Sequence, residues 1–170
     1  MIRNILCMIL ILSSAPGLVF AEKNETTFFA PRRGDMALGA VLGSPTGLSM
    51  KYWLGNSHAM DAGFGVPFDS DVKFSVHGDF HWLFPVQSYS AGSLGFYAGA
   101  GARIRAISNK SKSADFGFRF PVGFEFNTRP SSLNFFAEIV PVAVLTPDRE
   151  FSLDCGIGIR YRFAGRGIAP

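Results

Sequence analysis

The sequence predicts an all-β fold, an eight-stranded antiparallel up-and-down barrel with short loops. Three observations predict it. From Gly34 to Phe163 the chain alternates apolar with small or polar residues in eight runs, the two-residue period of a strand with unlike faces. Clusters of Gly, Pro, Asn, Asp and Ser separate the runs, as turn chemistry requires. No helical period interrupts them. Even spacing and short connections favour pairing of each strand with the next.

The first run is 34–43, with Met36, Leu38, Ala40 and Leu42 on one face. The second, 47–54, carries Leu48, Met50, Tyr52 and Leu54, and the third, 59–67, carries Met60, Ala62, Phe64 and Val66. The fourth, 72–84, presents Val72, Phe74, Val76, Phe80, Trp82 and Phe84; the fifth, 94–105, presents Phe96, Ala98, Ala100, Ala102 and Ile104. The sixth reads DFGFRFPVGFEF from Asp115 to Phe126, with every even position Phe or Val and Arg119 and Glu125 on the odd side. The seventh, 133–145, places Phe135, Ala137, Ile139, Ala143 and Leu145 on one face. In the eighth, 151–163, odd positions from Phe151 to Phe163 are apolar against Ser152, Asp154, Gly156, Gly158, Arg160 and Arg162. Turns are expected at GSPTG, GNSH, FDSD, PVQSYSAGS, ISNKSKSAD, NTRPSS and TPDRE.

Residues 1–21 have the form of a cleaved secretory signal peptide: Arg3, an apolar core from Ile5 to Leu12, and a small-residue site ending at Ala21. Residues 22–33 form an aperiodic N-terminal leader segment, 34–163 the barrel and 164–170 a C-terminal tail. Removal of 1–21 takes away Arg3 alone among the charged residues, leaving 15 bases against 13 acids, a net of +2. This balance points to no nucleic-acid partner. Cys155 then remains alone, so no intramolecular disulfide is expected. No run in the mature chain has the ~18 consecutive apolar residues of a spanning helix.

Alternation does not say which face points inward. Three features do. The apolar face carries too many rings for a narrow interior, including Phe64, Phe74, Phe80, Trp82 and Phe96. The opposite face is rich in Gly, at 39, 63, 65, 99, 101, 117, 123, 156 and 158. Gly weakens a strand, so a crowded lumen is the better explanation for it. Finally, the charges of that face nearly balance. The acids are Asp35, Asp61, Asp79, Glu125, Glu138 and Asp154, and the bases are Lys51, Lys73, Arg103, Arg105, Arg119, Arg160 and Arg162. Paired charges suit a closed interior. Arg at a bilayer midplane costs roughly 2–4 kcal/mol, so the Phe face is expected to meet lipid and the charged face to fill the lumen. The barrel is thus predicted to be transmembrane.

On the strand rhythm, the signal peptide, the closing GIGIRYRF and the segments GLSMKYWL, EIVPVAVLTPD and LDCGIGIRYRF, the sequence resembles the small OmpA/OmpX-like outer-membrane β-barrels of Gram-negative bacteria. The resemblance covers about residues 34–163. It implies outer-membrane lipid as the surroundings. It also implies recognition of a C-terminal aromatic, here Phe163 with Tyr161, by the outer-membrane assembly machinery, although AGRGIAP follows. With so short a tail, no periplasmic peptidoglycan-binding domain is expected. The family places both termini in the periplasm, making 43–47, 67–71, 106–115 and 146–150 the outer loops. Of these, 106–115 with Lys110 and Lys112 is the expected surface for any host or surface ligand.

Several constellations need weighing. Lys73, Ser75, His77, Asp79 and His81 share one face of a strand. Successive same-face residues stand about 6.8 Å apart, beyond triad reach, so a polar lumen is the expected role and catalysis is not. His77 and His81 are too far apart to chelate a metal unless other strands supply ligands. No cofactor or metal is expected. Tyr52, Trp82, Phe84, Tyr161 and Phe163 near strand ends are expected as girdles at both membrane interfaces. Pro121 and Pro141 each delete a ladder donor, and bulges facing each other or near the rim are expected there.

The expected function is that of a non-enzymatic integral outer-membrane barrel, structural or a narrow, gated pore for small solutes. Glu125, Glu138, Arg103, Arg119 and Arg160 are the preferred members of its lumen network. A surface interaction protein acting through its outer loops is the alternative. A lipid-modifying enzyme and a soluble lipocalin-like carrier are the remaining readings.

Overall fold

The computed structural model describes residues 31–66, 72–109, 112–129, 131–147 and 149–164. The expected signal peptide, leader residues 22–30, Pro67, Lys110 and the tail from 165 lie outside the described residues. Nine strands are present among them: β1 Met36–Gly43, β2 Thr46–Trp53, β3 His58–Val66, β4 Val72–Tyr89, β5 Gly92–Asn109, β6 Lys112–Arg119, β7 Val122–Thr128, β8 Leu133–Thr146 and β9 Glu150–Phe163. Each pairs antiparallel with its neighbour in the chain, with β6 and β7 together filling the place between β5 and β8. β9 pairs with β1, Tyr161 opposite Leu38 and Gly156 opposite Gly43. The pairings therefore run in a ring and leave no strand with a single neighbour.

β6 and β7 are one line of the wall, interrupted at Phe120–Pro121. Arg119 sits opposite Gly101 and Val142, and Val122 opposite Ala98 and Ile139, the same register on both sides of the gap. Pro121 has no N–H to give, which breaks the ladder without shifting it. The carbonyls are still used: Gly99 N–H donates to Pro121 O at 2.8 Å and Phe120 N–H to Pro141 O at 3.0 Å. The two prolines are one step out of register, Pro141 lying opposite Phe120, with Pro121 buried and Pro141 exposed; the bulge expected there is absent, and they lie within the wall rather than at its rim.

Two expected turn regions are strand instead. Residues 85–93 continue β4 and β5, which meet at a turn of Ser90 and Ala91. Their register shifts between Pro85 and Gln87; one extra residue there turns an apparent loop composition into a bulged hairpin. In 106–115, β5 runs to Asn109 and β6 starts at Lys112, so the expected surface loop is mostly hairpin and Lys112 is a strand residue.

Below, "lower end" means the end where β1 starts and β9 finishes. At the opposite end, β1 turns into β2 at Gly43, whose φ of 151° suits a residue without Cβ. A Cβ there would also lie 2.1 Å from the carbonyl oxygen of Cys155.

The burial is inverted. Among the described residues, 18 polar or charged residues are buried against 10 hydrophobic ones, the reverse of a water-soluble domain. Outward lie Leu42 (63% exposed), Leu48, Phe64, Phe118, Phe124, Ile157 and their like. Two apolar clusters remain inside: Ala37, Trp53, Ala59 and Leu83 at the lower end, and Val140, Val142 and Val144 along β8.

Candidate functional site: the lumenal charge network

The inward side chains of every strand meet in the lumen, and their spacing along each strand sets the height at which they meet. β2 sends Ser49, Lys51 and Trp53 inward; β3 sends Asp61; β4 sends Ser75, His77, Asp79 and His81. β5, β6 and β7 contribute Tyr97, Arg103, Asp115, Arg119, Glu125 and Asn127, and β8 and β9 contribute Asn134, Phe136, Asp154, Arg160 and Arg162.

Towards the lower end, Lys51 Nζ donates to Glu125 Oε2 at 2.5 Å. The same ammonium lies 4.5 Å from the Tyr97 ring centre and 5.7 Å from that of Trp53. Asn127 Nδ2 donates to the other Glu125 oxygen at 3.1 Å and receives a bond from Asn134. The charges of this belt are matched one to one.

The middle belt is shared. Arg119 Nε donates to both oxygens of Asp79 at 3.1 Å, and its terminal nitrogens lie 3.7 Å from Glu138 and 3.9 Å from Asp154. Arg103 pairs with the same Asp154 and donates to Ser152 Oγ. Tyr97 O–H donates to Glu138 at 2.8 Å. Arg160 donates to Asp61 at 2.6 Å, to Ser49 at 2.8 Å and to Asn134 at 3.2 Å, with its guanidinium 3.7 Å from the Phe136 ring centre. Arg105 pairs with Asp115 at 2.5 Å nearer the upper end, and Arg162 approaches Asp35 at 4.0 Å at the lower end.

Glycines supply the room. A Cβ on Gly63 would fall 2.3 Å from the His77 ring, on Gly123 2.7 Å from Tyr97, and on Gly158 2.4 Å from Phe136. The space opposite these glycines thus holds rings, not only long charged chains.

Twelve of the thirteen charges assigned to the lumen from sequence face inward: Asp35, Lys51, Asp61, Asp79, Arg103, Arg105, Arg119, Glu125, Glu138, Asp154, Arg160 and Arg162. Lys73 does not. The register shifts between Val72 and Phe74, the extra residue reverses the parity of the strand start, and Lys73 is exposed while Val72 is buried. Missing from the sequence assignment were Asp115, Tyr97, Ser49, Asn127 and Asn134. All five lie on the polar parity of their runs, Asn127 one residue past the end of its run, so alternation carried the signal for them. For Asn134 the signal is weaker, because the polar side of its run is mixed with Phe136, Val140, Val142 and Val144.

The aromatics Tyr52, Trp82, Phe84, Tyr161 and Phe163 all point outward. The register puts them at the lower end together: Met36 lies opposite both Tyr52 and Phe163, and Trp82 opposite His58. They form one band at a single end of the strands, where two were expected. Other rings, Phe64 with Phe74 and Phe116 with Phe118, gather towards the upper end.

Ser75, His77, Asp79 and His81 are buried in the lumen. Ser75 Oγ and His77 Nδ1 have no hydrogen-bond partner in the protein, so the Ser–His bond of a nucleophilic triad is not made. Asp61, His77 and Asp79 each bring one potential ligand atom within 4.8 Å of the others.

No protein-family model matches the chain, and no curated protein matches it by sequence. Among solved structures, the N-terminal β-barrel domain of OprF from Pseudomonas aeruginosa is similar, with a TM-score of 0.58 at 14% identity over 77% of this chain and 98% of that one. Ail, the attachment invasion locus protein of Yersinia pestis, is matched over 77% of this chain and 99% of its own at 17% identity, with a TM-score of 0.35 that carries no argument. The chain has the all-β, antiparallel fold of the OprF barrel domain; at that identity the likeness concerns the fold.

Proposed function

We propose that the chain is an integral outer-membrane β-barrel protein whose lumen is a side-chain-filled, ion-paired plug, serving as a structural element or a narrow, gated pore for small solutes. The observation that carries this reading is the inverted burial: a wall of Leu, Ile, Val and Phe outside, and Lys51, Asp61, Asp79, Arg103, Arg119, Glu125, Asp154 and Arg160 buried inside. Water would charge a large penalty for that outer surface, and hydrocarbon would not. A ring of pairings also satisfies the backbone without water, which a bilayer demands.

In this reading residues 1–21 direct export and are removed. The girdle of Tyr52, Trp82, Phe84, Tyr161 and Phe163 anchors the lower end at the periplasmic interface, and the assembly machinery reads the β9 end. Ions pass only if the shared pairs around Arg119 rearrange, because an eight-stranded barrel is just wide enough for its side chains to fill.

The test is refolding of the mature chain into a planar bilayer, with single-channel recording of wild type and Arg119→Ala. Discrete current steps altered by the substitution are expected for the pore. Stable insertion with silent traces from both proteins leaves the structural role. Failure to insert overturns the membrane reading.

A further inference from the structure

The geometry points to a binding site for a first-row divalent transition metal, zinc being the reference ion, formed in the lumen by Asp61, His77 and Asp79. This inference needs a closed lumen and is independent of whether the lumen conducts.

Topology builds the site. Asp61 on β3 lies directly opposite Asp79 on β4, and Gly63 lies opposite His77. Two carboxylates face to face across a strand pair repel each other, an arrangement that a cation between them relieves. His77 stands two residues from Asp79 on the same inward face. All three residues are at least nine-tenths buried, at 5%, 7% and 5% exposure. The Nδ1 of His77 is buried without a partner, a costly state for an imidazole nitrogen that a metal bond at that nitrogen would end.

Two glycines hold the space open. The His77 ring lies over Gly63, where a Cβ would come within 2.3 Å of it, and the Asp79 carboxylate lies over Gly101, where a Cβ would come within 2.1 Å. Any other residue at either position would push a ligand away from the site.

The donor set selects the ion. One imidazole nitrogen and two carboxylate oxygens match zinc and its neighbours. Calcium prefers six to eight oxygens, and a set without thiolate does not favour copper(I). Tetrahedral ligand bonds of about 2.0–2.2 Å require the three atoms to draw together by up to about 1.4 Å, within reach of side-chain rotation.

Arg160 on Asp61 and Arg119 on Asp79 then become outer partners that orient the ligating carboxylates, the usual arrangement around metal ligands. A carboxylate has about four acceptor positions, enough for a guanidinium and a metal together. The guanidiniums lower the affinity for a dication. The excess of acids acts the other way: Asp115 and Glu138 bring the inward acids to seven against six bases.

The experiment is calorimetric titration of the refolded full chain with zinc chloride, added both after refolding and during it, with cobalt(II) absorption as the spectroscopic readout. One ion per chain is expected. His77→Ala keeps both ion pairs and is expected to weaken binding at least tenfold and to change the cobalt spectrum; His58→Ala, on the outer surface, changes neither. Asp61→Asn is expected to weaken binding as well. X-ray absorption of the zinc-loaded wild type, expected to show one imidazole, serves if His77→Ala does not fold. The proposal is overturned if wild type binds by neither route, if His77→Ala binds as wild type does, if calcium binds equally well, or if the absorption spectrum shows no imidazole.

Discussion

The two charged belts of the lumen solve the same problem differently. Lys51 and Glu125 answer each other, with Asn127 completing the carboxylate. Around Arg119, one guanidinium serves Asp79, Glu138 and Asp154, and Asp154 is itself shared with Arg103. A one-to-one pair can be removed as a unit. A shared hub cannot, because removing Arg119 takes a counter-charge from three carboxylates at once. The difference between the belts is thus how many carboxylates share one cation.

The largest expected effect is at the hub. Arg119→Ala should destabilise the barrel by about 3–5 kcal/mol, read as a shift in the denaturant midpoint for unfolding from lipid. Adding Asp79→Asn should recover only part of the loss, since Glu138 is then left with the Tyr97 hydroxyl alone and Asp154 with Arg103 alone. Lys51→Met comes next, at about 3 kcal/mol, the lower value because Asn127 still donates to Glu125. Here the double variant Lys51→Met with Glu125→Leu should return close to wild type. Equal recovery in both double variants would abolish the distinction between the belts.

The outer wall gives a smaller contrast. Ile157 lies on the outward face of β9, 51% exposed, opposite Leu42 and two steps further from the Tyr161 and Phe163 band than Ile159. Ile157→Arg should cost about 2–4 kcal/mol in a bilayer and much less in a short-chain detergent micelle that lets the guanidinium reach water. The same cost in both media would remove lipid from the explanation. Smallest is the packing of the hub itself. Gly101→Ala places a Cβ 2.1 Å from Asp79 Oδ1 and 2.2 Å from the Gly78 carbonyl oxygen. The backbone contact cannot rotate away, so a loss of about 1–3 kcal/mol is expected. Gly78→Ala, whose Cβ would meet nothing closer than 4.0 Å, should be nearly neutral in the same assay.

Much of the wall was legible from parity. In the Asp115–Phe126 stretch, even residues point outward and odd ones inward on both sides of Pro121, because the proline removes a donor without inserting a residue. Lys73 was misread for the opposite reason: a bulge does insert a residue, and composition around Val72 gives no sign of it. The 85–93 and 106–115 segments look like loops because Gly, Ser, Pro and Asn are abundant in them. Long strands nevertheless continue there, with pairing across β4–β5 and β5–β6 outweighing weak local propensity.

By itself the sequence determined the strand rhythm, the antiparallel order and the division of each run into an apolar and a polar face. These are local properties, set by the alternation of side chains along an extended backbone. Tertiary structure alone decided which inward residues meet. Lys51 reaches Glu125 across 74 residues of chain and Arg160 reaches Asp61 across 99, contacts that depend on the register of every strand pair between them. A single bulge moves such a contact, and no local pattern records it.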